Sequence, residues 1–179
     1  GEAKNVTSFD EFIASGESVS EDIARERALT VKPEDLSDFL FTSGTTGNPK
    51  GVMTCHGQNI RSFMAWSEVV GLREGDRYLI VMPFFHSFGY KAGWLASLMR
   101  GATVLPHQVF DVPVILERIA EDRISVFPGA PTIYQSMLAY PDLASFDISA
   151  LRLAVTGAAP TPVELIRRMK SDLGFETVI

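Results

Sequence analysis

A run of small, hydroxylated residues constrains the chain more than any other feature. Between Phe41 and Val52 the order is Thr42-Ser43-Gly44-Thr45-Thr46-Gly47-Asn48-Pro49-Lys50-Gly51, with apolar runs on either side. Glycines let successive backbone N–H groups point into one concavity. The hydroxyls of Thr42, Ser43, Thr45 and Thr46 add donors, and Lys50 adds a mobile positive charge. Such a set suits the oxygens of a polyphosphate.

The loop departs from the Walker pattern G-x-x-x-x-G-K-[ST] on both sides of its lysine, where Pro49 and Gly51 stand. Pro49 has no N–H to offer a phosphate and drives Asn48 towards extended backbone. A helix therefore cannot spring directly from the loop. The expected order is a strand over 37–41, the loop, a short strand over 52–54 and a helix from about Gly57. A solvated hairpin loop is the competing explanation, which the spaced glycines and single lysine disfavour.

Strand and helix signals then alternate. Apolar spacing predicts a helix over 57–70 ending at Gly71, a buried strand over 77–82 and a helix over 92–99 stopped by Gly101. A strand over 102–105 follows, then a helix capped by Asp111 with Val112, Ile115, Leu116 and Ile119 inward. Further strands are expected over 124–127, 152–155 and 176–179, with helices over 131–140 and from Thr161 to Gly174. The latter carries a Thr161-Pro162-Val163-Glu164 capping box. This is an α/β pattern, a mostly parallel sheet with flanking helices. Residues 1–35 form a peripheral polar segment: Ser8 caps a short helix over 9–15, and 17–33 is expected to be an irregular linker. Residues 36–179 form the central α/β subdomain.

With 179 residues and 46% apolar content, the chain can bury a real core. A net charge of −6 argues against nucleic acid or an anionic membrane as the main partner. The prolines at 128, 131 and 141 and Gly129 break the uncharged run 124–141, so no transmembrane segment is expected. The single cysteine, Cys55, leaves no internal disulfide or Cys-rich metal site and suits a cytoplasmic location. The chain begins at Gly1 and stops within a predicted strand, which reads as a fragment.

Phe41 to Val52 resembles the signature loop of the adenylate-forming superfamily: acyl- and aryl-CoA synthetases, peptide-synthetase adenylation domains and luciferases. Cys55-His56-Gly57-Gln58-Asn59 resembles that family's entry to the next helix. The resemblance covers nearly all of residues 34–179 and implies part of a large N-terminal domain. It assigns Thr42, Ser43, Gly44, Thr45, Thr46, Gly47 and Lys50 to the phosphates of ATP, with Thr42 a candidate Mg2+ contact.

Two further segments gain meaning from it. Pro83-Phe84-Phe85-His86-Ser87-Phe88-Gly89-Tyr90 follows a buried strand, where α/β sheets bind ligands. The resemblance makes His86, Phe88 and Gly89 an acyl-pocket wall, with His86 bordering the reacting acid. A core histidine bonded to a backbone carbonyl is the plainer alternative. Thr156-Gly157-Ala158-Ala159-Pro160 resembles the segment whose backbone contacts adenine, implicating Gly157, Ala158, Ala159 and Pro160; otherwise it is an ordinary turn. Lys91 reads as a solvated or interface lysine, His56 and His107 as structural or surface residues, and Trp66 and Trp94 as core or pocket wall.

Residues 83–93 and the run Pro128-Gly129-Ala130-Pro131-Thr132-Ile133-Tyr134-Gln135-Ser136 are most similar to acyl-CoA ligases, with actinobacterial enzymes that activate ring-bearing propionates the nearest in pattern. The implied reaction joins a small-molecule carboxylic acid to CoA: Mg2+·ATP gives acyl-AMP and pyrophosphate, and the CoA thiol then displaces AMP. A carrier-protein adenylation domain and a non-catalytic nucleotide-binding fragment remain open. The family's Tyr-Gly-x-Thr-Glu segment, ribose aspartate and C-terminal lysine have no counterpart in the chain, so taken alone it is expected to be catalytically silent and to self-associate.

Overall fold

The computed structural model describes residues 6–42, 47–157 and 159–179. Helices α1 (Phe9–Ser15) and α2 (Glu21–Leu29) come first and bury no residue. Ser8 forms the expected capping box with Glu11. The expected irregular linker over 17–33 is corrected by α2, because the Ser20 hydroxyl accepts the Ile23 amide and Glu21 and Asp22 favour the helix N-terminus.

Strands β1 (Leu36–Thr42) and β2 (Lys50–Cys55) form an antiparallel hairpin around the hydroxyl-rich loop. Thr42 pairs with Lys50 at its tip. Helix α3 (His56–Val70) begins directly after β2 and stops at Gly71, whose φ of 77° suits glycine.

A separate parallel sheet is built from β3 (Arg77–Ile80), β4 (Thr103–Pro106), β5 (Leu153–Ala154) and β6 (Thr177–Val178). β4 pairs with β3 and β6 with β5. Val126 bridges Tyr78 on one side and Leu153 on the other. The order across the sheet is therefore β4, β3, the 126 segment, β5 and β6. The strand expected over 124–127 contracts to that single bridge. Pro128, directly after it, has no N–H to extend the ladder.

Side-chain alternation accounts for cover on both faces. Leu79, Phe127 and Ala154 enter one core with α5 (Val112–Glu121), α6 (Pro131–Leu138) and α7 (Val163–Ser171). Tyr78, Ile80, Val126, Leu153 and Val155 enter the other with Val70 of α3 and Ala96 of α4 (Ala96–Arg100). In α5 the Asp111 carboxylate accepts the Val114 amide, and Ile115, Leu116 and Ile119 are buried as their spacing predicts.

Two helix starts differ from expectation. The helix over 92–99 begins earlier, as a π-helix spanning Phe88–Leu95 that runs into α4. Glycines allow it: a Cβ on Gly89 would strike the carbonyl oxygens of Met82 and Pro83, and one on Gly93 would lie 3.0 Å from Ile80 Cδ1. The Thr161 capping box does not form. Its hydroxyl donates to the Ala159 carbonyl instead, and Pro162 occupies the cap of α7.

Asp76 closes the sheet at the end where β3 begins. Its carboxylate, 4% exposed, accepts from Ser125 Oγ, Arg152 Nε and the Arg73 amide at 2.8–2.9 Å. Burial pushes its pKa up, but these bonds and the Arg152 charge outweigh that and hold it below the ordinary value.

Candidate functional site

In the order β4, β3, 126 segment, β5, β6, the chain leaves β3 towards one edge and returns to the other side of it. That makes the gap between β3 and the 126 segment the topological switch point, where a crevice opens beyond the carboxyl ends of the strands. A cavity of about 310 Å³ lies there. Met82, His86, Ser87 and Phe88 line it after β3, Gly129 and Ala130 after the bridge, and Val155, Thr156 and Gly157 after β5. Phe63 and Trp66 of α3 and Ala92 of the π-helix complete the wall. Its size falls at the lower end of small-molecule sites.

The sequence-predicted segments around His86 and Gly157 thus share one cavity. His86 is exposed at its mouth, and its Nδ1 accepts the Phe88 amide at 3.1 Å. With Nδ1 an acceptor, the proton of a neutral ring sits on Nε2. Phe88 is half-buried in the wall. Gly89 is buried one residue behind, against the Met82 and Pro83 carbonyls, so it shapes the turn and does not line the cavity. Gly157 lines the cavity and is exposed, as are Ala159 and Pro160 beyond it in the chain. The Thr156 hydroxyl is buried, with no hydrogen-bond partner among the described residues, while its amide donates to the Ile179 carbonyl at 2.7 Å.

Thr42, Gly47 and Lys50 are exposed around the hairpin tip and form no part of the cavity wall. Gly47 has a φ of 91°, which its lack of a Cβ permits. Ser43, Gly44, Thr45, Thr46 and Ala158 lie outside the described residues. No group of three or more His, Cys, Asp or Glu able to hold a metal occurs among the described residues.

Lys91, expected to be a solvated or interface lysine, is not solvated. Only 4% of it is exposed, and its Nζ lies 3.0 Å from Asp38 Oδ1. An isolated charge in that position would be too costly to keep, so the carboxylate is required. One signal pointed to it. Lys91 is the single Asp, Glu, Lys or Arg between Arg77 and Arg100, inside a predominantly apolar run. The Pro128-Gly129-Ala130 turn, a wall of the cavity, was likewise not assigned to the site.

The fold and crevice define an α/β domain with a candidate site at its strand ends, and comparison with known proteins identifies the family. The family profile described as AMP-binding enzyme matches residues 2–179, and the chain belongs to that family. It is 49% identical over 178 residues to the 3-[(3aS,4S,7aS)-7a-methyl-1,5-dioxo-octahydro-1H-inden-4-yl]propanoyl:CoA ligase of Rhodococcus jostii, covering 99% of this chain and 35% of that protein. To the Mycobacterium tuberculosis ligase of the same name it is 50% identical over 171 residues, covering 96% and 34%. The chain thus spans about a third of the length of these curated relatives.

Among solved structures, the inhibitor-bound N-terminal domain of FACL13 from Mycobacterium tuberculosis superposes with a TM-score of 0.73 at 27% identity, covering 92% of this chain and 46% of that one. The anthranilate CoA ligase AuaEII in complex with anthranoyl-AMP gives 0.73 at 30% identity, covering 82% and 28%. The α/β architecture and the adenylate-forming resemblance are borne out. Among the described residues, no helix is long and apolar enough to cross a membrane.

Proposed function

We propose that the chain is the central part of an acid:CoA ligase that activates a ring-bearing carboxylic acid with Mg2+·ATP. The observation that carries this is the shared apolar cavity, in which the His86 and Thr156–Gly157 segments meet at the strand ends. The acid enters this cavity with its carboxylate towards the rim. The adenine lies against the exposed Gly157, Ala159 and Pro160 backbone. The loop from Thr42 to Lys50, including Ser43, Gly44, Thr45, Thr46 and Gly47, takes the β- and γ-phosphates. The Thr42 hydroxyl, exposed at the hairpin tip, would be the chain's contact to the Mg2+ that accompanies ATP, an ion that would supply charge neutralisation at the phosphates.

Attack of the carboxylate on the α-phosphate releases pyrophosphate and leaves acyl-AMP; the CoA thiol then displaces AMP. Positioning and charge neutralisation dominate the first step. His86 borders the acyl group and presents Nε2–H near the reacting end. The names of the two half-identical relatives specify a bicyclic diketone propanoate, which makes such a bulky acid the best candidate. The largely apolar wall suits it.

The working enzyme is the full-length ligase in the cytoplasm, with residues 36–179 as its central subdomain and 1–35 peripheral. Exposed Phe9, Phe12, Phe39 and Phe41 favour self-association of the chain. The test is incubation of the full-length ligase with ATP, CoA and a panel of ring-bearing and straight-chain acids, following AMP release. Faster turnover of ring-bearing acids is expected. Release of AMP only with a carrier protein as acceptor would overturn the CoA assignment.

A further inference from the structure

Lys91 and Asp38 join two parts of the molecule that carry different ends of the site. Lys91 sits in the π-helix, five residues after His86. Asp38 sits in β1, about 13 Å of strand before Thr42 and the loop. Their charged atoms are 3.0 Å apart, with side chains 5% and 14% exposed.

The surrounding bonds are complete. Lys91 Nζ donates to Thr54 Oγ1 at 2.9 Å, and Thr54 donates to Asp38 Oδ1 at 2.8 Å. Asn59 Nδ2 donates to Asp38 Oδ2 at 2.6 Å and to Ser37 Oγ at 3.1 Å. One cluster therefore pins β1, β2, α3 and the π-helix together. Burial pushes the Asp38 carboxyl up, and the bonds from Lys91, Thr54, Asn59 and Ser37 more than reverse this, keeping it charged.

A buried ion pair adds little net stability over apolar residues of the same shape, because desolvation offsets the attraction. Apolar packing elsewhere in this core would have served to hold the hairpin against the helix. What the pair adds is direction: short, oriented bonds fix the hairpin's position relative to the helix, where apolar contact would let it slide.

We propose that Lys91 is a positioning residue for acid activation. Through Asp38 it sets the separation between the phosphate-loop hairpin and the His86 wall, so that the triphosphate and the carboxylate meet in register. This inference rests on the reading of the site as an ATP-dependent acid ligase.

The experiment compares the full-length ligase with its Asp38→Asn/Lys91→Met double variant and with Thr54→Val. ATP–pyrophosphate exchange gives KM for ATP and acid and kcat, and thermal unfolding gives stability. Wild-type enzyme without exchange for any acid defeats the ligase reading, and this inference with it. Given exchange, the double variant, which leaves no buried lone charge, is expected to keep its thermal midpoint. Its kcat/KM should nevertheless fall about tenfold to a hundredfold, as a displaced reacting group requires. Thr54→Val keeps both charges, and its smaller loss of about twofold to fivefold should appear mainly in KM for ATP. Wild-type kinetic constants in the double variant overturn the proposal, whatever its midpoint. Should the double variant not fold, unchanged constants in Thr54→Val overturn it and the expected rise upholds it.

Discussion

Thr42 and Lys50 face each other across the hairpin as its last paired residues before the loop. Lys50 is exposed there, so its ammonium is available to an incoming phosphate and contributes little to the core. Lys50→Ala in the full-length ligase should slow ATP–pyrophosphate exchange by roughly tenfold to a thousandfold, as loss of one electrostatic group does. Thermal unfolding should barely change. Exchange at the wild-type rate would remove the loop lysine from the mechanism.

His86→Ala should reorder the preferred acids or slow thioester formation, since the ring stands at the mouth of the cavity. On the proposed assignment of His86 to the acid and of the hairpin loop to the phosphates, KM for ATP should stay within about twofold. A variant that lost ATP binding and kept its ranking of acids would reverse the assignment.

Gly89→Ala places a methyl group against the Met82 and Pro83 carbonyls. The turn must open, at a cost of about 1–3 kcal/mol in denaturant unfolding. His86 and Phe88 move with it, so acid selectivity should relax as well. An undiminished unfolding free energy would mean that the turn is not as tight as the backbone contacts require.

Asp76 predicts acid sensitivity. Its hydrogen bonds and the Arg152 charge hold its folded pKa below the ordinary carboxylate value, so the unfolded chain binds its proton more readily. The stability it supplies is full above about pH 5 and is lost as pH falls through and below about 4. Asp76→Asn leaves Arg152 buried without its carboxylate, which should cost about 3–5 kcal/mol at neutral pH. The loss between pH 5 and 3 should be shallower in the variant. Parallel pH profiles of the urea midpoint would disconnect Asp76 from acid unfolding.

What the sequence disclosed was chemistry on consecutive residues and apolar residues at regular spacing. The loop from Thr42 to Lys50 and the inner face of α5 are both of that kind, and the latter appears as spaced. Contacts across long separations were hidden. Lys91 meets a carboxylate far back in the chain, and no local pattern records that partner. Hydroxyl competition was hidden too: Thr161 could cap α7 or bond to Ala159, and the turn geometry favours Ala159. The missed α2 has a different cause. Its Ser20 cap was present in the sequence, but its polar surface gave no apolar stripe to notice. The π-helix depends on close backbone packing around Gly89 and Gly93, which composition does not encode.

The single bridge at Val126 also sets a timetable for synthesis. β1 and β2 are neighbours in the chain, and a hairpin of that kind closes in about 1–10 μs. The amide of Leu79, by contrast, must wait for the carbonyl of Val126, and Phe127 for that of Leu153. At about 5–20 residues per second, a ribosome takes seconds to deliver those partners. The β1–β2 hairpin can therefore form while the crevice still has only one bank. During that interval β3 is an apolar strand with an open edge, the form most prone to pairing with a neighbouring nascent chain.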